Sequence, residues 1–287
     1  MIKCGYHLAF LLVMSVLWTA VPDALNANGS SKNLQRGWVE LVNNGGCEAD
    51  LIGGNIPAWV EVVGTVWTQR SSNPEPYEGV NYFFAGAGAS AELRQDADLA
   101  AYAGLVDNGN QSFVFDAYVR SWDQSPADIS QLILEFLNHD KSQILASHDF
   151  GQHSNTSAWV HLTQSRLAPV GTRYIRFRLI SIRRSGTNND GYFDAISLRT
   201  YIPELPAPQN LEISTLGNDI FLSWDPVTQD SAGNPVMISN YMVYAADYPD
   251  FVCNTATLVG SVTDPQILLP GWAGMHDKAF FAVRAVE

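Results

Sequence analysis

Residues 111–121 read QSFVFDAYVRS. Phe113, Phe115, Ala117 and Val119 are apolar, and Val114, Asp116, Tyr118 and Arg120 stand between them. Side-chain direction reverses at every residue of a β-strand, so a period of two marks a strand with one face in a core and one in water. The pattern returns on both sides of this stretch. Leu132, Leu134 and Phe136 alternate with Ile133 and Glu135, and Ile175, Phe177 and Leu179 alternate with Arg176 and Arg178. Turn clusters separate the strands: SSNPEP (71–76), DNGN (107–110), SPAD (125–128) and GTNNDG (186–191). No stretch has a long helical period, and only Asp98 to Gly104 suits one short helical turn. The expected class is all-β, with many short antiparallel strands packed as sandwiches.

Outward from this core pattern, the segment IPELPAP (202–208) places three prolines close together. Such a segment is stiff and extended, so it reads as a connector between domains. A second alternating set follows: Leu211 and Ile213, then Ile220, Leu222 and Trp224, then Tyr241, Val243 and Ala245. At the other end, Lys3 precedes an uncharged run from Leu8 to Val21, and Leu25-Asn26-Ala27 offers a small-residue cleavage site. Charge, short apolar run and small residues in that order form a secretory signal, here residues 1–27. The competing reading, a membrane anchor, needs roughly 20 apolar residues, more than this run supplies. The expected location is therefore secreted, with no membrane insertion after cleavage.

The net charge of −13 with only 16 Lys and Arg disfavours nucleic acid or an anionic membrane as partner. Of three cysteines, Cys4 lies in the leader. Cys47 and Cys253 are too few for a disulfide-stapled small domain and read as two buried free thiols, with an inter-domain bridge as the alternative.

Residues 206–287 resemble a fibronectin type III domain. The resemblance rests on PAPQNLEI (206–213), DIFLSWDPV (219–227), NYMVYAAD (240–247) and AFFAVRAV (279–286). It implies that Trp224 is a core tryptophan with Tyr241 beside it, which agrees with the phase that Trp224 shares with Ile220 and Leu222. Ala279 and Phe280 stand where the family's tyrosine corner belongs, and the final strand of the family is not expected. An exposed sheet edge would result. There is no Arg-Gly-Asp tripeptide, and the expected role is a spacer or interaction module.

Residues 38–200 resemble galactose-binding-like jelly rolls, the fold of many carbohydrate-binding modules. The segments that carry this are NNGGCEADLIGGNIPAW (43–59), AELRQDADL (91–99), QSFVFDAYVRS, APVGTRYIRFRL (168–179) and, most distinctively, NNDGYFDAISL (188–198). The resemblance implies a structural calcium held by Glu48 and Asp194 together with backbone carbonyls. Ala195 stands where the family often has a second Asp. It also implies a glycan as partner. A sugar site needs exposed flat rings beside polar groups. The loop candidates are Trp67, Tyr77 and Trp122, the last flanked by Arg120, Asp123 and Gln124. Trp38, Trp59 and Trp159 stand in strand contexts and read as core.

Catalytic patterns are absent from the sequence. There is no Gly-x-Ser-x-Gly elbow and no His-Glu-x-x-His pair. His148, Asp149 and His153 read as a polar hairpin, with a metal site as the alternative. Residues 86–90, GAGAS, lack the lysine of a phosphate loop and read as a tight strand edge. Three functions are open: a non-catalytic glycan-binding or adhesion module, a structural extracellular protein without a small ligand, and a hydrolase hidden in the jelly roll.

Overall fold

The structure is a computed structural model that describes residues 36–64 and 66–287. The leader read at residues 1–27 lies outside the described residues. The chain divides into two compact units, Trp38–Ile202 and, among the described residues, 36–37 together with Pro203–Glu287.

The first unit contains β1 (Gly37–Glu40), β2 (Val60–Val63), β3 (Thr68–Arg70), β4 (Tyr82–Phe84), β5 (Ser90–Asp98), β6 (Ser112–Ser121), β7 (Ile129–Leu137), β8 (Ile144–His153), β9 (Val160–Leu167), β10 (Tyr174–Ile182) and β11 (Gly191–Ile202). One sheet runs β3-β4-β11-β6-β9, with β1 also paired to β11, and the other runs β2-β5-β10-β7-β8. From β4 to β11 the chain interleaves β4, β11, β6 and β9 of one sheet with β5, β10, β7 and β8 of the other, which is the jelly-roll arrangement. A 3-10 turn (Ala100–Tyr102) leads into α1 (Ala103–Asp107), slightly more helix than the single turn expected.

The alternation read from the sequence sets the core. Phe113, Phe115, Ala117 and Val119 of β6 are fully buried, as are Leu132 and Leu134 of β7 and Ile175, Phe177 and Leu179 of β10. Rings bridge the two sheets, with Phe115 and Phe177 at 5.6 Å and Trp59, just before β2, and Phe83 of β4 at 5.0 Å. Near the start of the unit the chain passes so close to β11 that a Cβ on Gly45 would lie 1.8 Å from the Ile196 carbonyl oxygen, which only glycine permits. That contact sits at a bulge between Asp194 and Ser197, where Ala195 takes a φ of 47°.

The second unit packs β12 (Glu212–Leu216), β13 (Asp219–Ser223) and β16 (Gln266–Leu269) as one sheet, and β14 (Asn240–Ala246), β15 (Leu258–Val262) and β17 (Phe280–Val286) as the other. Ile220, Leu222, Trp224, Tyr241, Val243, Phe281 and Val283 form its core. Trp224 meets Tyr241 edge-on at 5.4 Å, and the Tyr241 hydroxyl accepts a hydrogen bond from the Val227 N–H. A short helix, α2 (Trp272–Met275), precedes β17, and Trp272 packs onto the same core. Cys47 is a buried free thiol, as expected. Cys253 is buried but disulfide-bonded, so the free-thiol reading is corrected there.

Candidate functional site

The same alternation that buries Phe115 and Val119 turns Asp116, Tyr118 and Arg120 to the outer face of the β6 sheet. Strand β9 pairs with β6 so that His161 lies opposite Tyr118 and Thr163 opposite Asp116. The His161 ring stacks on Tyr118 at 4.6 Å and 11°. Tyr77, from the loop between β3 and β4, also stacks on Tyr118, at 3.4 Å and 13°. Three near-parallel rings thus run across one face, and Tyr77 is 45% exposed. The Tyr118 hydroxyl is pushed up to about 12, first by its hydrogen bond with Tyr77 and then by burial, so this ring stays neutral and its hydroxyl keeps its proton.

The loop that carries Tyr77, residues 71–81, is pinned by two carboxylates. Asp194 Oδ2 accepts hydrogen bonds from the Tyr77 and Glu78 N–H groups at 2.7 and 3.2 Å, and Asp194 Oδ1 accepts one from Ala195. Glu48 Oε1 accepts from the Val80 and Asn81 N–H groups at 2.8 and 2.9 Å. Gly79 sits between them with a φ of 67°, and a Cβ there would lie 2.3 Å from Glu48 Oε1. Both the backbone angle and the lack of space require glycine. Across the sheet, the Glu75 carbonyl accepts the Trp159 Nε1–H at 3.0 Å. Beneath the loop, Tyr82 and Tyr192 are fully buried and meet edge-on at 5.0 Å.

The calcium expected from Glu48 and Asp194 calls for oxygen ligands around both carboxylates. The structure does bring both carboxylates to one loop. Their oxygens, however, face N–H donors, whereas calcium takes six to eight oxygen ligands. No cluster of three or more His, Cys, Asp or Glu suited to a metal occurs among the described residues. The two acids tie the loop to the first and last parts of the unit by themselves. Burial pushes the Asp194 carboxyl up to about 7, against the pull of three backbone N–H groups.

A polar strip adjoins the ring stack. Asp116 Oδ1 is 2.9 Å from His161 Nε2, and Asp116 Oδ2 accepts from Arg199 Nη2 at 2.9 Å. Burial alone would raise the Asp116 carboxyl, but its bonds to Arg199, His161 and Thr163 hold it below the usual range, as an anion. Arg199 in turn lies over the Trp38 ring, 5.9 Å from its centre, and Trp38 meets Tyr201 edge-on at 5.7 Å.

The residues proposed from sequence divide clearly. Tyr77 belongs to the stack. Trp122 is 39% exposed, but it lies four residues along the chain from Tyr118 and sits beside Arg70, whose guanidinium is 6.0 Å from its ring centre. Arg120 is half-buried and donates to the Thr156 carbonyl at 3.1 Å. Asp123 is exposed, and Gln124 is half-buried with its Nε2 group unpartnered among the described residues. Trp67 is corrected from loop candidate to core. It is 1% exposed and packs on Phe193 at 6.2 Å, turning inward directly before β3 although Val66 beside it is exposed. Trp38 is corrected in the other direction. It is 60% exposed, because β1 lays it on the outer face of β11. His148 and His153 do not share a site: His148 Nδ1 is 2.6 Å from Arg166, and His153 Nε2 is 3.0 Å from the Phe150 carbonyl.

Sequence reading missed Tyr118, His161, Arg199 and Tyr201 as functional candidates. Only the outward phase of Tyr118 in residues 111–121 pointed to it. The jelly roll is similar to a family 16 carbohydrate-binding module (19% identity, TM-score 0.40, covering 55% of this chain and 98% of that one). It is also similar to the carbohydrate-binding module TmCBM61 in complex with β-1,4-galactotriose (16% identity, TM-score 0.39, 56% and 97%). A third likeness is to the enzymatically active domain of bacteriophage CBA120 tailspike protein 4 (13% identity, TM-score 0.40, 55% of this chain), of which the match spans only 21%. No family model matches the chain, and no curated relative matches it.

Proposed function

We propose that this is a secreted, non-catalytic glycan-binding protein whose ligand lies on the outer face of β6, β9 and β11. The observation that carries the reading is the stack of Tyr77, Tyr118 and His161, with Tyr77 and His161 exposed beside the hydrogen-bonded strip of Asp116, Arg199 and Thr163. A sugar ring has an apolar C–H face and a polar rim. An exposed aromatic covers the first, and charged groups already held in place satisfy the second without further ordering. Trp122, with Arg120, Asp123 and Gln124 near it in sequence, flanks this site as a secondary contact.

The absence of catalysis is part of the proposal. Glycoside hydrolysis uses two carboxyl groups facing the scissile bond. Here Asp194 and Glu48 are engaged by backbone N–H groups and Asp116 by Arg199 and His161. The smaller unit we read as a fibronectin type III-like spacer, supported by Trp224 and Tyr241 in its core.

Affinity electrophoresis through gels containing xylan, β-1,4-galactan, mannan or cellulose derivatives tests the reading. Retardation by at least one polymer, lost in Tyr118→Ala, is expected, with no release of reducing sugar. Equal mobility in every gel would favour a structural protein without a glycan ligand.

A further inference from the structure

A second pair of rings stands on the same face. Trp38 and Tyr201 are 60% and 45% exposed and meet edge-on at 5.7 Å. They are tied to the Tyr118 stack by an unbroken series of contacts. Arg199 lies over Trp38, Arg199 binds Asp116, Asp116 binds His161, and His161 stacks on Tyr118. The register gives the spacing. Asp194 of β11 is level with Tyr118, and Arg199 is level with Val114. Tyr201 lies two residues beyond Arg199, so the two aromatic groups are roughly 20 Å apart along β6. A single sugar ring is far too small to touch both.

We infer that Trp38 and Tyr201 form a second sugar platform, and that the ligand is an extended polysaccharide chain lying along β6 and β11 rather than a single sugar or a chain end. The inference rests on the glycan-binding reading of the Tyr118 stack. Three features favour a chain as occupant. Both platforms present rings to solvent on one face. The strip between them is polar and charged, which suits hydroxyl groups and not an apolar partner. Arg199 and Asp116 are held by each other and by their neighbours, so the strip is ordered before ligand arrives.

The experiment is a chain-length series by calorimetry. Oligosaccharides of two, four and six rings, prepared from xylan, galactan, mannan and cellulose, are titrated into the full chain and into Trp38→Ala, Trp38→Phe, Tyr201→Ala and Tyr118→Ala. The six-ring ligand is expected to bind about tenfold more tightly than the two-ring one, as one additional aromatic contact would give. Trp38→Ala and Tyr201→Ala should remove that gain while leaving two-ring affinity unchanged, and Trp38→Phe should keep most of it. Binding that depends on Tyr118 but is equal for two and six rings, or a length gain that survives both Trp38→Ala and Tyr201→Ala, would overturn the second platform and leave the first intact. Absence of binding to any oligosaccharide would remove both.

Discussion

The two outer faces of the jelly roll are built from the same alternation and end in opposite states. On the β5, β10 and β7 face, Arg178 makes two hydrogen bonds to Glu92, at 2.7 and 3.0 Å, and one to Glu135 at 2.9 Å. Arg176 makes two hydrogen bonds to Asp96, at 2.7 and 3.0 Å, and Lys141 adds a second cation at Asp96 at 2.8 Å. Arg94 also binds Glu92. Each of these charges has an opposite charge beside it, most across neighbouring strands. On the β6, β9 and β11 face, the charges are likewise paired, but they lie among aromatic rings that water touches. Polar surface alone therefore does not mark a binding face. On the proposed reading, exposed rings beside already ordered polar groups do, because a ligand can cover the rings without disturbing the pairs.

This contrast can be broken at several points. The largest loss of stability is expected at Trp67, which sequence placed among the ligand contacts. Its burial against Phe193 predicts that Trp67→Ala lowers unfolding free energy by about 3 to 5 kcal/mol. A urea melt of the folded chain measures this, and a loss below about 1 kcal/mol would return Trp67 to the surface.

Asp194→Asn comes next. Burial already pushes this carboxyl up to about 7, so the loss comes less from its charge than from turning an amide donor toward backbone N–H groups that need an acceptor, at about 1 to 3 kcal/mol. Because those bonds position Tyr77, glycan affinity should fall as well. Calcium or a chelator should leave the melting curve of the wild-type chain unchanged. A rise with calcium would show that oxygen ligands replace the N–H groups around Glu48 and Asp194.

The ionic face should respond to charge and not to ligand. Arg178→Met leaves Glu92 and Glu135, both nearly buried, with fewer partners, and we expect a cost of about 1 to 3 kcal/mol, reduced from a fully buried pair by the partial exposure of Arg178. Acid acts on the same contacts. Burial raises the Glu92 and Asp96 carboxyls, but Arg178, Arg94, Arg176 and Lys141 pull them below their ordinary values overall. A depressed folded value stabilises the protein above the unfolded value and stops doing so as pH falls through the folded one. Thermal stability should therefore drop below about pH 4, and less steeply in Arg178→Met than in wild type.

Much of this face was legible before the structure, and the gaps have identifiable causes. The strands of the jelly roll follow from period-two alternation, which depends only on neighbours in sequence. The outward direction of Tyr118 follows from the same rule. Its partners do not, because His161 reaches it through the β6–β9 register and Tyr77 through a loop held by Glu48 and Asp194. Both are long-range placements. Trp67 and Trp38 were exchanged between core and surface for a related reason. Trp67 follows Gly64 in a segment outside any strand, where no period exists to assign a face. Trp38 lies in a four-residue strand whose exposed side is set by its pairing with β11. The family resemblance placed Glu48 and Asp194 together; in the structure both accept hydrogen bonds from the loop of residues 71–81, so the chemistry there depends on which backbone groups that loop presents.

The most direct test of the central claim exchanges the two faces. Tyr118→Ala and Arg178→Met are each measured for polysaccharide retardation and for urea stability. Tyr118→Ala should abolish retardation at a stability cost below about 1 kcal/mol, as for a partly exposed surface residue, while Arg178→Met should lose stability and keep retardation. Retention of glycan binding in Tyr118→Ala, or its loss in a folded Arg178→Met, would contradict the assignment of the ligand to the aromatic face.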